Sequence, residues 1–269
     1  MKQTLEELVR NPLKEKLAAG QMVASLIVRI SRGPEIAQIA ANAGFDTLYV
    51  DLEHSVLSLD MTAQLCNASR AAGVVPLVRV PSADPALIAR LLDAGAMGII
   101  APHVCSADDA RHVVACTKYP PLGNRSVSTG LALLNYRSFP PDQANPLVDE
   151  SVFVAVMIES ASALDCIDEI AAVNGVDMLF IGSGDLSSEL GVPGQLTHPK
   201  MLDAFARVQE AARRHGKAVG LGGLGSQPKL LEQLVAQGAR FVSVGTDLSL
   251  LASAANEKVR FVQGLNPLA

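Results

Sequence analysis

Two carboxylic acids stand directly after neighbouring apolar runs of the chain. Glu159 closes the run 152–158, and Asp185 follows the run 178–181 after a turn at 182–184. A carboxylate placed directly after a buried strand is costly unless a cation compensates its charge. The two acids are one strand–helix unit apart and have no cysteine or histidine beside them. We therefore expect them to share a hard divalent ion such as Mg²⁺ or Mn²⁺.

Further polar residues follow other apolar runs. They are Asp51, Glu53 and His54 after the second run, Arg79 after the third and His103 after the fourth. His54 follows Asp51 at a three-residue spacing. The carboxylate is therefore expected to orient the imidazole, a group that suits proton transfer at neutral pH. Arg79 is expected either to stabilise a developing oxyanion or to pair with Glu159 or Asp51.

Short apolar runs alternate with helical patterns almost throughout the chain. The predicted strands are Val23–Arg29, Thr47–Asp51, Val75–Arg79, Gly98–Ala101, Val152–Ile158, Met178–Ile181, Ala218–Leu221 and Phe241–Val244. The predicted helices between and after them are 34–43, 60–72, 84–94, 107–117, 162–173, 199–215, 227–237 and 248–262. This repeated unit predicts an α/β fold, a closed (β/α)₈ TIM barrel, with an open doubly wound sheet as the alternative.

Two segments lie outside the repeat. An amphipathic pattern at 4–17 predicts an extra N-terminal helix that caps the bottom of the barrel. The long connection 119–150 is expected to cover a site or to contact another subunit. Because chemistry in such barrels gathers at the C-terminal ends of the strands, the polar residues named above are expected to share one mouth.

Composition narrows the class of protein. The chain has 269 residues, 49% of them hydrophobic, which suits one large domain or at most two, and we expect a single domain over 1–269. A net charge of −5 without a basic run argues against a nucleic-acid surface. Neither a membrane span nor an apolar signal core is visible, so we expect a cytoplasmic protein without a membrane partner. The four cysteines lack CxxC spacing, which favours reduced core thiols over a disulfide.

Two further patterns concern cofactors. Residues 220–225 match G-x-G-x-x-G, which indicates either a tight loop near a small anion or a dinucleotide site. The tight loop is preferred because the motif comes late in the chain. No lysine follows a strand at the expected mouth. Carbonyl chemistry is therefore expected to use a metal ion instead of a Schiff base.

Several motifs taken together resemble one known family. They are Asp51-Leu-Glu-His54, Leu77-Val-Arg79-Val-Pro81, Leu91-Leu-Asp93-Ala-Gly95, Tyr119-Pro-Pro-Leu-Gly123-Asn-Arg125, Ile158-Glu159 and Phe180-Ile-Gly182-Ser-Gly-Asp185-Leu-Ser187. In this order they resemble the HpcH/HpaI aldolases, which are class II pyruvate-dependent aldolases of the citrate-lyase-β superfamily. The resemblance extends from about residue 10 to 262. It implies a TIM barrel of the phosphoenolpyruvate/pyruvate type.

The resemblance also implies roles for the site residues. Glu159 and Asp185 would hold Mg²⁺ or Mn²⁺, and Co²⁺ also suits such oxygen ligands. Arg79 would bind the oxygen that becomes the enolate, and His54 would be the general base. Asp93 would raise the basicity of His54. The backbone amides of Ser183, Gly184 and Asp185 would hold the carboxylate of pyruvate.

The sequence departs from the common family pattern at four positions. Met157 stands where many relatives carry a glutamine that contacts substrate. Ser183-Gly184 replaces the commoner Pro-Ala, which should leave the amide cradle intact. His103 is similar to a histidine of macrophomate synthase, which favours contact with the second substrate, and a plain rim histidine is the alternative.

The implied reaction is the reversible cleavage of a 4-hydroxy-2-oxo acid to pyruvate and an aldehyde through a metal-stabilised enolate. The alternatives are an oxaloacetate decarboxylase or macrophomate-synthase-like enzyme, an acyl-CoA lyase of the malyl or citryl type, and a non-catalytic anion-binding barrel. The family forms hexamers in which the last helix, here 248–262, is exchanged between neighbours. The expected partners are therefore a 2-oxo acid, an aldehyde and further copies of the chain.

Overall fold

The computed structural model describes residues 3–265. Eight parallel strands close into a barrel in the order β1 to β8, so the prediction of a (β/α)₈ barrel is confirmed and the open sheet is wrong. The strands are β1 Val23–Val28, β2 Thr47–Asp51, β3 Val75–Arg79, β4 Gly98–Ala101, β5 Phe153–Ile158, β6 Met178–Gly182, β7 Ala218–Gly222 and β8 Phe241–Thr246. We call the C-terminal ends of these strands the mouth of the barrel and the opposite end its bottom.

The helices follow the predicted order with several additions. They are α1 Leu5–Val9, α2 Pro12–Ala18, α3 Glu35–Ala43, α4 Leu59–Ala71, α5 Pro85–Asp93, α6 Ala107–Thr117, α7 Pro141–Ser151, α8 Ala161–Asp165, α9 Ile167–Ala171, α10 Ser183–Glu189, α11 Pro199–Arg214, α12 Pro228–Ala236 and α13 Asp247–Gln263. The segment predicted as one helix at 162–173 is two short helices, α8 and α9, because the chain leaves helical geometry at Cys166 (φ −116°, ψ 27°).

Aromatic rings from three strands fill the interior of the barrel. Phe180 makes edge-to-face contacts with Tyr49 and Phe241, with ring centroids 6.1 Å and 6.0 Å apart. A Cβ atom on Gly220 or Gly222 would lie 2.6 Å or 2.8 Å from the ring of Phe180. Two glycines of the G-x-G-x-x-G pattern therefore make room for an aromatic side chain, which is a packing reason for the motif.

Local sequence signals explain where a typical helix begins and ends. Asp84 caps α5 by accepting a hydrogen bond from the amide of Leu87 at 2.7 Å, and Pro85 occupies the first helical turn. The chain leaves the helix through Gly95, whose φ of 115° disfavours residues with a side chain. Asp93 is consequently the last residue of α5 and lies at the bottom of the barrel, just before β4 begins.

The N-terminal segment closes the bottom of the barrel, as predicted, but as two helices. Asn11 interrupts the pattern and caps α2, which has Pro12 in its first turn. The side-chain amide of Asn11 also donates to the backbone carbonyl of Ser151 at 2.7 Å, just before β5. Proline lacks the backbone donor that a continuous helix would need at this point, so the predicted helix divides here.

The long connection 119–150 also lies at the bottom. It contains a 3₁₀ helix, Ala132–Leu134, whose Ala132 carbonyl accepts from Arg70 at 2.6 Å. It ends in α7, which the sequence reading missed and which carries a proline, Pro146, in its interior. Because the candidate site residues lie at the mouth, this connection does not cover them within the same chain. Contact with another subunit stays a prediction.

The last helix, α13, leaves the barrel with several apolar side chains in solvent. Leu251, Phe261 and Val262 are 63%, 66% and 65% exposed. Such an apolar surface is unusual on an isolated chain and is typical of an interface. Within residues 3–265, no helix is both long and apolar enough to cross a membrane.

Candidate active site

Three charged residues form a row across the first three strands at the mouth. Asp51 and Arg79 are register partners on β2 and β3, and Arg29 follows Val28, which pairs with Val50 on β2. Asp51 accepts from Arg79 through both carboxylate oxygens, at 2.9 Å and 2.6 Å. Its Oδ2 also accepts from Nε of Arg29 at 2.6 Å. The parallel register thus alternates cation, anion and cation along one edge of the site.

The Asp51 carboxylate also holds the loop that carries the candidate base. Its Oδ1 accepts from the backbone amides of Glu53 and His54 at 3.1 Å and 3.2 Å. Burial alone would raise the pKa of Asp51, but the hydrogen bond and charge of Arg79, followed by the bond from Arg29, hold that pKa below its usual value. Asp51 is therefore an anion that fixes both neighbouring arginines.

His54 itself projects into the open mouth. Its side chain is 52% exposed, and its Nε2 lies 3.8 Å from a carboxylate oxygen of Glu53. The expected link between Asp51 and the imidazole ring is instead a link to the backbone of His54. The loop is positioned by Asp51, and the ring is left accessible to a ligand.

His103 connects the half-buried carboxylate of Glu53 with the buried carboxylate of Glu159. Its Nε2 lies 2.8 Å from Glu53 and its Nδ1 3.1 Å from Glu159, whose Oε1 also accepts the backbone amide of His103 at 2.7 Å. His103 adopts a left-handed backbone with φ of 56°. A non-glycine residue pays for that conformation, and such strain is concentrated at functional sites. The ring lies against the acidic groups of the mouth and is 65% exposed.

Glu159 has one carboxylate oxygen available for a cation. Its Oε2 makes no hydrogen bond within residues 3–265 and lies 2.6 Å from where a Cβ atom on Gly182 would stand. The glycine at the end of β6 thus keeps the space beside this oxygen open. Burial raises the pKa of Glu159, and the negative charges of Asp185 and Glu53 oppose the lowering effect of His103. A divalent cation would relieve this concentration of negative charge.

Asp185 lies in the first turn of α10, where the sequence reading expected a turn at 182–184. The strand β6 extends to Gly182, and the helix begins directly at Ser183. Asp185 is exposed, whereas Glu159 is buried. Among the described residues no cluster of three or more His, Cys, Asp or Glu side chains could hold a metal. Two carboxylates would supply only part of the coordination shell of a cation. This fits Mg²⁺ or Mn²⁺, which keep several water ligands.

The remaining substrate-binding candidates line the same mouth. Met157 is buried, and its sulfur lies 4.0 Å from Nη1 of Arg79. Ser183 and Gly184 are the first residues of α10, where backbone amides have no acceptor within the helix. The hydroxyl of Ser183 is buried and has no hydrogen-bond partner in the described part of the chain. The amide cradle expected for a carboxylate is therefore compatible with the local structure.

Asp93 is the one candidate that lies away from the mouth. At the bottom of the barrel it accepts from Nη2 of Arg125 at 2.6 Å, and the guanidinium of Arg125 stacks 4.7 Å from the ring of Tyr119. Both remaining nitrogens of Arg125, Nε and Nη1, are buried and make no hydrogen bond within residues 3–265. None of the described contacts joins Asp93 to His54 of the same chain. The side chain of Asp93 is 33% exposed and remains accessible from outside.

Sequence reasoning gave no role to three residues of this network. Glu53 bridges Arg79, at 2.8 Å from Nη1, and His103. The contact with Arg79 is an ion pair only, because this Glu53 oxygen is buried and accepts no hydrogen bond from the described residues. Arg29 ends the first apolar run, a signal as direct as the one that identified Arg79. Asp247 accepts hydrogen bonds from the backbone amides that follow β1, and the spacing of residues in the sequence does not reveal this contact.

Comparison with known proteins agrees with this geometry. The model of the HpcH/HpaI aldolase/citrate lyase family matches residues 16–254. The 4-hydroxy-4-methyl-2-oxoglutarate aldolase tasA of Hapsidospora irregularis is 40% identical over 250 residues, which cover 92% of this chain and 93% of that protein. An HpcH/HpaI aldolase from Desulfitobacterium hafniense superposes with a TM-score of 0.87 at 33% identity, covering 95% and 99% of the two chains.

Macrophomate synthase is a further structural neighbour. It superposes with a TM-score of 0.77 at 26% identity, covering 98% of this chain and 91% of that one. The region matched by the family, residues 16–254, contains all eight strands and every mouth residue described above. The protein belongs to the HpcH/HpaI aldolase/citrate lyase family.

Proposed function

We propose that the protein is a divalent-metal-dependent aldolase that reversibly cleaves a 4-hydroxy-2-oxo acid into pyruvate and a carbonyl acceptor. The observation that carries this proposal is that a cation and an imidazole, Arg79 and His54, lie at the same mouth as a pair of carboxylates, Glu159 and Asp185. Asp51 holds the guanidinium of Arg79 and the backbone amide of His54, and the Glu159–Asp185 acid pair follows β5 and β6 at the same end of the barrel. A site for simple anion binding has no need of an accessible imidazole beside such an acid pair.

The donor half of the site would bind the 2-oxo acid. Glu159 and Asp185 would hold Mg²⁺ or Mn²⁺, which when bound supplies Lewis-acid stabilisation of an enolate. The first-turn amides of α10, from Ser183 to Asp185, would orient the carboxylate of the same molecule. Arg79 would place its guanidinium where negative charge grows on the former keto oxygen.

Proton transfer would be the task of His54. Cleavage requires removal of the proton from the 4-hydroxyl group, and the return reaction requires its delivery to the new alkoxide. The ring is accessible, and its loop is held by the carboxylate that also aligns Arg79. Asp51 therefore acts as a positioning residue for the base and for the oxyanion group.

The helper role of Asp93 would require a second subunit. Because Asp93 lies at the bottom and His54 at the mouth, we propose that Asp93 meets His54 of a neighbouring copy in a homo-oligomer, a hexamer by family resemblance. The exposed apolar face of α13 supports such an assembly through exchange of the helix between neighbours. Each chain would then form one barrel domain over 1–269 and pack its last helix, α13, against the barrel of a neighbouring subunit. We propose that this assembly is located in the cytoplasm.

A second candidate function uses the same donor half. His103 and the likeness to macrophomate synthase favour decarboxylation of oxaloacetate, in which carbon dioxide leaves in place of an aldehyde. This reaction forms the same enolate but has no hydroxyl proton for His54 to remove. The two functions therefore differ in their need for the base.

The deciding experiment is a panel of aldehydes and 2-oxo acids offered with pyruvate and Mg²⁺ or Mn²⁺, run beside oxaloacetate. We expect carbon–carbon bond formation with at least one acceptor, loss of activity in chelator and recovery with added metal. If the protein turns over oxaloacetate but forms no carbon–carbon bond with any acceptor, the decarboxylase function is correct and the aldolase function is not. Full activity after complete metal removal would refute the metal assignment.

A further inference from the structure

The terminal nitrogens of Arg29 are available as hydrogen-bond donors at the mouth. Its Nε donates to Asp51 at 2.6 Å, whereas its two terminal nitrogens make no hydrogen bond within residues 3–265. The side chain is 32% exposed, in contrast to Arg79, which is 7% exposed and is occupied by Asp51 and Glu53. A guanidinium tethered at Nε presents its terminal pair of N–H groups in the geometry that matches a carboxylate.

The backbone of Arg29 and of the two residues after it is held by a residue that follows β8. The carboxylate of Asp247, the first residue of α13 directly after β8, accepts hydrogen bonds from the backbone amides of Arg29, Ile30 and Ser31 at 3.0, 3.1 and 2.7 Å. Burial would raise the pKa of Asp247, but these hydrogen bonds hold that pKa below its usual value. Asp247 is therefore a stable anion, and it leaves Arg29 little freedom to move away from the mouth.

The position of Arg29 is right for the acceptor half of a substrate. In the closed order of strands, β1 lies opposite β5, which carries Glu159. A 2-oxo acid held at Glu159 and Asp185 would extend its far end across the mouth toward β1 and β2. His54 follows β2, so the 4-hydroxyl group would come between the donor half and Arg29.

We propose that Arg29 is the specificity residue of this site and binds a carboxylate on the acceptor. The preferred substrate would then be a 4-hydroxy-2-oxo diacid with a five-carbon main chain, whose cleavage releases pyruvate and a second 2-oxo acid. This inference rests on the proposed function and adds the substrate class to it. The name of the tasA relative, an aldolase of a substituted oxoglutarate, denotes a diacid of this kind.

The test compares two ligands that differ in one charge. Binding of 2-oxoglutarate and of 2-oxopentanoate is measured by calorimetry in the presence of Mg²⁺, in the parent, in Arg29→Met and in the control Arg32→Met. Arg32 is an exposed arginine of the same loop. We expect the preference for the diacid to fall about 10- to 100-fold in Arg29→Met, the range expected for a hydrogen-bonded charged pair. The preference should persist in Arg32→Met.

A parallel assay separates this proposal from the proposed function. The ratio of kcat/KM for 4-hydroxy-4-methyl-2-oxoglutarate to that for a 4-hydroxy-2-oxo acid yielding a neutral aldehyde should fall by a similar factor in Arg29→Met. An unchanged ligand preference, or equal losses for both ligands, would overturn the role of Arg29. If the parent lacks aldolase activity, the calorimetric comparison still decides the role of Arg29, while the aldolase assignment fails separately.

Discussion

Asp51 and Arg79 are opposite each other on adjacent parallel strands, and their side chains meet through two hydrogen bonds of 2.9 Å and 2.6 Å. The pair is almost fully buried, with side-chain exposures of 0% and 7%. A buried ion pair adds little net stability by itself, but removal of one partner leaves an uncompensated charge. This relationship is therefore better understood as alignment of the Arg79 guanidinium toward the mouth.

Replacement of Asp51 tests that alignment. We expect Asp51→Asn to lower the free energy of unfolding by about 3 kcal/mol, because Arg79 loses its buried counter-charge, and to lower kcat. The pKa of Asp51 is lowered in the folded protein, so its contribution is present above the usual aspartate range and is lost as pH falls below that range. Urea denaturation should show the gap between parent and variant narrowing in acid. The exposed Asp60→Asn is the control, and equal losses in both would contradict the prediction.

Removal of Asp185 tests the metal site. Asp185→Ala should abolish Mn²⁺ binding measured by calorimetry and should remove metal-dependent turnover, because one of only two carboxylate ligands is gone. Asp203→Ala, an exposed acid on α11, should bind metal like the parent. Undiminished Mn²⁺ affinity in Asp185→Ala would place the cation elsewhere.

Removal of His54 tests the base. His54→Ala should slow aldol cleavage by about 10²- to 10⁴-fold, the usual contribution of a positioned proton-transfer group. Decarboxylation of oxaloacetate has no hydroxyl proton to remove and should continue close to the parent rate. His215→Ala, at the far end of α11, serves as the matched control. Equal cleavage by His54→Ala and parent would show that another group is the base.

Subunit mixing tests the position of Asp93. Asp93→Asn and His54→Ala should each be impaired as pure proteins, because each lacks one member of the proposed pair. Oligomers formed by co-expression should regain activity, since some sites then combine His54 of one chain with Asp93 of its neighbour. Activity that stays at the level of the separate variants would contradict a pair formed across subunits.

The sequence alone determined the barrel and most of its mouth. Strands with both faces apolar must be covered on both sides, and the regular alternation with helices leaves few topologies other than a parallel barrel. Chemistry gathers at one end of such a barrel, so the sequence alone predicts that residues which follow strands, such as Arg79 and Glu159, share one site. The family motifs added the roles expected for these residues.

Only the tertiary structure decided how the charges pair. The register between strands, which periodicity does not encode, brought Asp51 between Arg29 and Arg79. Contacts distant in sequence joined Glu53 to His103 and Asp247 to the backbone of Arg29. Asp93 was separated from His54 because helices run antiparallel to the strands, and a helix end therefore lies at the bottom when the strand end lies at the mouth. Sequence spacing reports which strand precedes a residue, whereas packing and register decide which groups meet.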